Sequence, residues 1–138
     1  MNNVDYLNKN TFLIPYYKQF IKLLRNNKIL LYGNINECDL EYFKTSNIEV
    51  VDDKSDILVA GIVLNNYLAL NKNNDLNELI KNITKRLDED GIVLVINNKQ
   101  MIDETTLNYL FKENYEEVEE LIGDDKWNFI LYQKRTTK

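Results

Sequence analysis

The chain has 138 residues, an apolar content of 44% and a formal net charge of −5 at pH 7. This length suits one domain with a single core, and the acidic balance argues against free nucleic acid as the main partner, because phosphate backbones bind basic surfaces. The chain has no histidine and one cysteine, Cys38, which excludes Ser–His–Asp and Cys–His catalysis, an internal disulfide and a cysteine-rich metal site. No segment has the character of a signal peptide or a membrane span, so we expect a cytoplasmic protein that binds neither membranes nor metal ions.

The first half of the chain alternates short apolar runs with helical patterns. Pro15 suits the first turn of a helix, in which apolar residues then recur at helical spacing. Gly33 ends the first apolar run and therefore the first strand. The predicted elements, in chain order, are a polar arm over 1–14, a helix over 15–27, a strand over 28–33, a short helix over 39–44, a short strand over 47–52 and a strand over 57–64.

The second half contains the clearest amphipathic helix. Asp75 is placed to cap it, five apolar residues follow at helical spacing, and Gly91 occupies the position of a glycine that ends a helix. A continuous apolar run then predicts a buried strand over 92–96. Asp103 caps a further helix, which Asn114 is expected to end in a left-handed conformation. The last predicted elements are strands over 115–122 and 127–133, which a tight turn joins into an antiparallel hairpin.

Strand, helix and strand in this order form crossover units, which place parallel strands side by side with helices on both faces. We therefore predict a single α/β domain over 1–138. It is a three-layer sandwich with a mostly parallel, Rossmann-like sheet and a C-terminal antiparallel β hairpin. Glutamates flank Val118 on the first hairpin strand, and exposed acids of this kind block unwanted pairing at a sheet edge.

The apolar strand that begins with Asp56, and the helix end, glycine turn and strand over 85–95, resemble the fourth- and fifth-strand region of the class I SAM-dependent methyltransferases. The segment over 107–118 resembles the last helix and sixth strand of that family, so the likeness covers residues 28–133. It implies a Rossmann-like fold and, if the chain is active, SAM as its cofactor. The chain departs from the family pattern in keeping a single glycine, Gly33, after the first strand, in having no acid at the end of that strand, and in leaving out one βα unit before Asp56.

The resemblance also implies where a cofactor and a substrate would lie. For each position there is a plainer alternative, in which the residue only forms a turn or a polar loop. We assign no catalytic residue and no metal ligand. The residues implied are Gly33 and Asn34 against the cofactor, Asp52 or its neighbour Asp53 for the ribose hydroxyls, and Asn65, Asn66 and Tyr67 on the substrate side.

Nine tyrosines are more than a core of this size needs, and tyrosine is common at protein interfaces. We therefore place a candidate contact surface at Tyr16, Tyr17 and Phe20, with ordinary packing over the sheet as the alternative. Our first functional hypothesis is a degenerate, non-catalytic methyltransferase-like domain that needs no cofactor and acts by binding a protein partner or by forming a homodimer. The second is a minimal SAM-dependent methyltransferase. The third is a regulator that binds a small ligand or nucleotide in the same crevice.

Overall fold

The computed structural model describes residues 11–135, so residues 1–10 of the predicted arm lie outside the described part of the chain. A short 3₁₀ turn over Thr11–Leu13 leads into the first helix. The helices are α1 (Ile14–Leu23), α2 (Glu37–Thr45), α3 (Tyr67–Leu70), α4 (Leu76–Arg86) and α5 (Glu104–Phe111). The strands are β1 (Lys28–Gly33), β2 (Glu49–Val50), β3 (Val59–Asn65), β4 (Leu87–Asn98), β5 (Tyr115–Leu121) and β6 (Trp127–Lys134).

The strands form one six-stranded sheet in the order β2-β1-β3-β4-β6-β5. The pairs β1–β2, β1–β3 and β3–β4 are parallel, whereas β6 pairs antiparallel with both β4 and β5. The predicted mostly parallel sheet with an antiparallel hairpin is therefore confirmed. Helix α4, which lies between β3 and β4 in the chain, makes the expected crossover, because two neighbouring parallel strands need a connection that spans the length of the sheet.

Helices cover both faces of the sheet, as predicted for a three-layer sandwich. On one face, Tyr17 and Phe20 of α1 pack against Ile29 and Val63 of the central strands. On the other face, the apolar stripes of α4 and α5 pack against alternate residues of the same strands. That second cluster includes Leu30, Ile62, Val93, Ile80, Ile83, Leu107 and Phe111. Central strands buried on both faces explain the continuous apolar runs in the sequence.

Two predicted helix ends are wrong. Helix α4 ends at Arg86, and Gly91 lies within β4 rather than at a helix end. The reason is that Leu87 already pairs with Val59 in the sheet, so the chain turns directly from helix to strand. Asn114 does not adopt the expected left-handed conformation. Among the described non-glycine residues, only Asn47, Asn66 and Asp90 have a positive φ.

The N-terminal region also differs from its prediction. Leu13 is buried, so residues 11–13 belong to the packed domain rather than to a polar arm. Helix α1 is shorter than the predicted 15–27, because the Asn26 side chain accepts a hydrogen bond from the Lys28 backbone and forms a turn into β1. Across the residues that the structure describes, no helix has the length and apolar character needed to cross a membrane.

Candidate functional site

The fold brings most of the sequence-predicted site residues to one edge of the sheet. Strands β1, β2 and β3 are parallel, so the segments that follow them meet where their carboxyl ends lie. Open α/β sheets bind ligands at this edge. The loop after β1 holds Gly33 and Asn34, the segment after β2 holds Asp52 and Asp53, and Asn65 ends β3.

The loop after β1 packs directly against the end of β3. Gly33 has a φ of 96°, and the Asn34 backbone N–H donates to the Asn65 carbonyl oxygen at 2.8 Å. The Asn65 side-chain amide donates back to the Asn34 carbonyl oxygen at 2.9 Å. A Cβ atom at Gly33 would lie 2.1 Å from the Asn65 carbonyl oxygen. Contact with its own chain therefore explains why this position is glycine.

The N-terminus of α2 holds a carboxylate of the chain itself. Asn36 caps the helix, and Asp39 completes a capping box by accepting a hydrogen bond from the Asn36 backbone. The Tyr17 hydroxyl donates to the other Asp39 oxygen at 2.7 Å, and both side chains are buried. Burial, with the Asp39 carboxylate beside it, raises the pKa of Tyr17. An anion at this helix end would meet a buried negative charge.

Two of the three residues predicted as a contact surface are core residues. Tyr17 and Phe20 are 1% and 0% exposed, so they are not available to a partner, and the alternative of packing over the sheet holds for them. Only Tyr16 is partly exposed; its ring stacks on Phe129 at a centroid distance of 3.7 Å. The cause is that α1 crosses the sheet instead of projecting from it.

Both acids after β2 have partners within the chain. The Asp52 carboxylate accepts a hydrogen bond from the Lys54 backbone at 2.8 Å and so forms a turn. The Asp53 carboxylate accepts from the Tyr32 hydroxyl at 2.5 Å and lies 3.5 Å from the Arg86 guanidinium. Burial, and secondly the bond to Asp53, raises the pKa of Tyr32.

Beside these acids lies an open cleft of about 300 Å³ between the strand ends and α4. Its aromatic wall is formed by Tyr32 and Tyr67, whose ring centroids are 5.1 Å apart. Burial raises the pKa of Tyr67 as well. The remaining lining is contributed by Asp53, Leu79, Asn82, Ile83 and Arg86. The cleft thus combines two aromatic rings with one cation and one anion that neutralise each other.

Arg86 was not predicted as a site residue, although it is the most highly connected cation of this region. It donates to the Asp53 carbonyl oxygen at 2.6 Å and to the Ile57 carbonyl oxygen at 3.3 Å, which holds the segment 51–58 against α4. Its Nε atom is buried without a hydrogen-bond partner. A basic residue in the last turn of a helix suits the helix dipole, so the sequence contains no signal that separates Arg86 from its neighbour Lys85.

The predicted substrate-side residues do not act as a group. Asn65 is buried and bonded to the loop after β1. Asn66 is left-handed with a φ of 58°, and its side-chain oxygen is buried without a hydrogen-bond partner. Tyr67 begins α3 and is the only one of the three that lines the cleft.

Solved structures share this architecture. The PH0226 protein from Pyrococcus horikoshii is 13% identical with a TM-score of 0.70, over 94% of this chain and 91% of that one. A putative type 11 methyltransferase from Sulfolobus solfataricus is 17% identical with a TM-score of 0.57, over 94% and 80% of the two chains. A TehB-like SAM-dependent methyltransferase from Corynebacterium glutamicum is 13% identical with a TM-score of 0.58, over 95% and 97%.

The chain has the class I SAM-dependent methyltransferase fold. At these identities the likeness establishes the fold alone. A scan of protein-family models finds no match, and a search of curated proteins finds none.

The methyltransferase fold is shortened at one sheet edge, as the sequence predicts. Residues 51–58 run from β2 to β3 without a helix or strand, and β2 is the terminal strand on that side. The βα unit that the resemblance leads one to expect before Asp56 is therefore absent from the described residues. Among those same residues, no group of three or more cysteine, aspartate or glutamate side chains is placed to hold a metal ion.

Proposed function

We propose that this chain is a non-catalytic domain with the methyltransferase fold, and that it acts by binding a protein partner or by self-association. The observation that carries the proposal is the packing of the loop after β1 on the end of β3. In this arrangement the space beside Gly33 is taken by the Asn65 carbonyl oxygen, at 2.1 Å from where a Cβ atom would be.

The residues at the strand ends do not fit SAM as the family resemblance would place it. The one loop glycine is held against Asn65, Asp52 forms a turn, and Asp53 is bonded to Tyr32. The buried Asp39 carboxylate at the start of α2 would repel the carboxylate of a bound SAM molecule. We therefore derive no methyl-transfer step from these residues.

Isothermal titration of the purified protein with SAM and with S-adenosylhomocysteine tests the non-catalytic part of the proposal. We expect no saturable heat, with the fold verified by a cooperative urea transition. Micromolar binding, about −8 kcal/mol, would overturn the proposal, and loss of that binding in Asp53→Asn but not in Asp56→Asn would locate it at the strand ends. Asp56 is the matched control because it is also an exposed aspartate of the same segment.

Size-exclusion chromatography with light scattering tests the association part. A dimer that dissociates on dilution supports self-association. A monomer at every concentration directs the search to a protein partner, which affinity capture with the intact chain can identify.

The cleft beside Asp53 favours a second candidate, a regulator that binds a small ligand. Its volume of about 300 Å³ and its two tyrosine rings suit a planar molecule of modest size. A minimal SAM-dependent methyltransferase is the remaining alternative, supported by the fold. The same titration separates the two candidates. SAM binding favours the enzyme. Binding of a nucleoside or other planar ligand, with no binding of SAM and with a lower affinity in Tyr67→Ala, favours the regulator.

A further inference from the structure

The sheet ends at β5 on the hairpin side. This strand pairs with β6 along one edge, and no strand among the described residues covers its other edge. Every residue from Glu116 to Glu120 is exposed. An edge strand of this kind presents unpaired backbone N–H and C=O groups to which an extended segment can add.

An apolar hollow of about 350 Å³ adjoins this edge on the face covered by α1. Ile122 is 88% exposed and stands at its rim. The wall is held in place, because the Tyr16 hydroxyl donates to the Ile122 carbonyl oxygen at 2.6 Å while the Tyr16 ring stacks on Phe129. The hollow is lined by Pro15, Tyr16, Gln19, Leu121 and Ile122, with Glu119 and Glu120 beside them.

The charge of β5 selects among occupants. Four of its seven residues are glutamates, at positions 116, 117, 119 and 120. Glu120 also lies against Glu104 at the start of α5. The hydrogen bond between these two side chains raises the pKa of Glu120, so several carboxylates lie close together here. A second copy paired along β5 would set glutamate against glutamate, which is destabilising in a sheet. A basic segment would instead find opposite charges along the strand.

We propose that β5 and the hollow beside it form a docking surface for an extended, basic segment of a protein partner. The backbone of the segment adds to the free edge of β5. Alternate lysine or arginine side chains meet Glu117 and Glu120 on the face of the sheet covered by α5, and one apolar side chain on the opposite face enters the hollow at Ile122. This proposal rests on the partner-binding form of the proposed function and makes no use of the strand ends where SAM would lie.

Fluorescence anisotropy with synthetic peptides tests the proposal. The probe is a labelled peptide of about nine residues that alternates lysine and valine, long enough to pair along a whole strand. We expect saturable binding that weakens with added salt. The same peptide with a central proline should bind at least about tenfold more weakly, since proline removes a donor and breaks strand pairing. A peptide that alternates glutamate and valine should not bind.

Variants of the protein locate the site. Ile122→Asp should weaken binding of the lysine–valine peptide by at least about tenfold, as loss of an interface anchor does, whereas Leu70→Asp, another exposed apolar position, should not. Glu120→Lys should weaken binding, and the control Glu41→Lys on α2 should leave it unchanged. Because all four side chains are exposed, the variants should fold.

Two results would overturn the docking surface. Equal binding of the proline peptide would show that only general charge attraction operates. Light scattering that shows a dimer dissociated by Ile122→Asp would replace the partner segment with a second copy. SAM titration is read separately: SAM binding refutes the non-catalytic proposal, whereas failure of the peptide with no SAM binding refutes only this surface.

Discussion

Replacing Gly33 with alanine measures how firmly the loop after β1 is held on β3. A residue other than glycine at a φ of 96° costs about 1–2 kcal/mol through its Cβ atom. That atom would also lie 2.1 Å from the Asn65 carbonyl oxygen, so the backbone must move. The movement breaks the hydrogen bond from the Asn34 N–H, a net loss of about 1 kcal/mol. We expect a total loss of about 2–3 kcal/mol in the free energy of unfolding.

Gly91→Ala is the matched comparison for this experiment. Both substitutions reduce the entropy of the unfolded chain equally, a stabilisation of about 0.4–1 kcal/mol that cancels in the difference. Gly91 has no positive φ, and its nearest neighbour is the end of the Leu87 side chain at 2.7 Å, which can rotate, with the Asp88 carbonyl oxygen at 3.0 Å. We expect a clearly smaller loss than at Gly33.

Urea unfolding followed by circular dichroism measures both variants. With a slope of about 1–3 kcal/mol per molar urea, the Gly33→Ala midpoint should fall by about 0.7–3 M. Equal losses for Gly33→Ala and Gly91→Ala would refute the reasoning. The loop would then be free to move away from Asn65, and the strongest argument against a cofactor in this crevice would be lost.

Three further predictions concern particular side chains. Burial raises the pKa of Tyr115 to about 12, so its contribution to stability is complete below its ordinary pKa of about 10 and lost as the pH rises from about 10 to about 12. Urea unfolding at several pH values over this range should show that the free energy of unfolding declines less steeply with pH for Tyr115→Phe than for the unmodified protein. Arg86→Met should lower the free energy of unfolding by about 1–3 kcal/mol and speed amide hydrogen exchange in residues 51–58; unchanged exchange would contradict its role in holding that segment. Glu104→Ala should lower the pKa of Glu120 toward its ordinary value in an NMR titration, and an unaltered pKa would exclude their hydrogen bond as the main cause.

The order of the central elements follows from local signals in the sequence. The apolar run of β3, the helical spacing of α4 and the apolar run of β4 are each complete within a single element, so they predict the crossover without knowledge of the rest. The hairpin of β5 and β6 is similarly local, because Asp124 forms the turn by accepting hydrogen bonds from the Lys126 and Trp127 backbones.

The wrong helix ends show where local rules fail. Gly91 satisfies the sequence pattern for a helix end, yet the chain enters β4 four residues earlier, at Leu87. Pairing with Val59 decides this boundary, and Val59 is distant in the sequence. The preference of glycine for a helix end is outweighed here by the burial of Leu87 and its pairing with Val59 in the sheet.

The sequence predicts where the candidate site lies, but not whether its residues face a ligand or contact the chain itself. Parallel strands bring Gly33, Asp53 and Tyr67 to one edge, and the sequence indicates this. Whether Gly33 faces a ligand or its own chain depends on Asn65, and the partner of Asp53 is Tyr32, 21 residues away. Contacts between such distant residues have no local pattern, so the two interpretations of each position can be separated only in the structure.

The shortened edge of the sheet explains why the segment after β2 is held by side chains of the chain itself. Strand β2 has only two residues and is not covered by a further βα unit, so its ladder to β1 supplies few hydrogen bonds. Side chains supply the rest: Arg86 bonds two carbonyl oxygens of the segment after β2, and Tyr32 bonds Asp53 within it. Asp53 is one of the two acids that the family resemblance assigns to the ribose. A ligand that forms hydrogen bonds to the Asp53 carboxylate must therefore break contacts that hold the end of the sheet, and this cost weakens its binding. On our proposal, the shortened sheet therefore disfavours cofactor binding even though one of the two acids is kept.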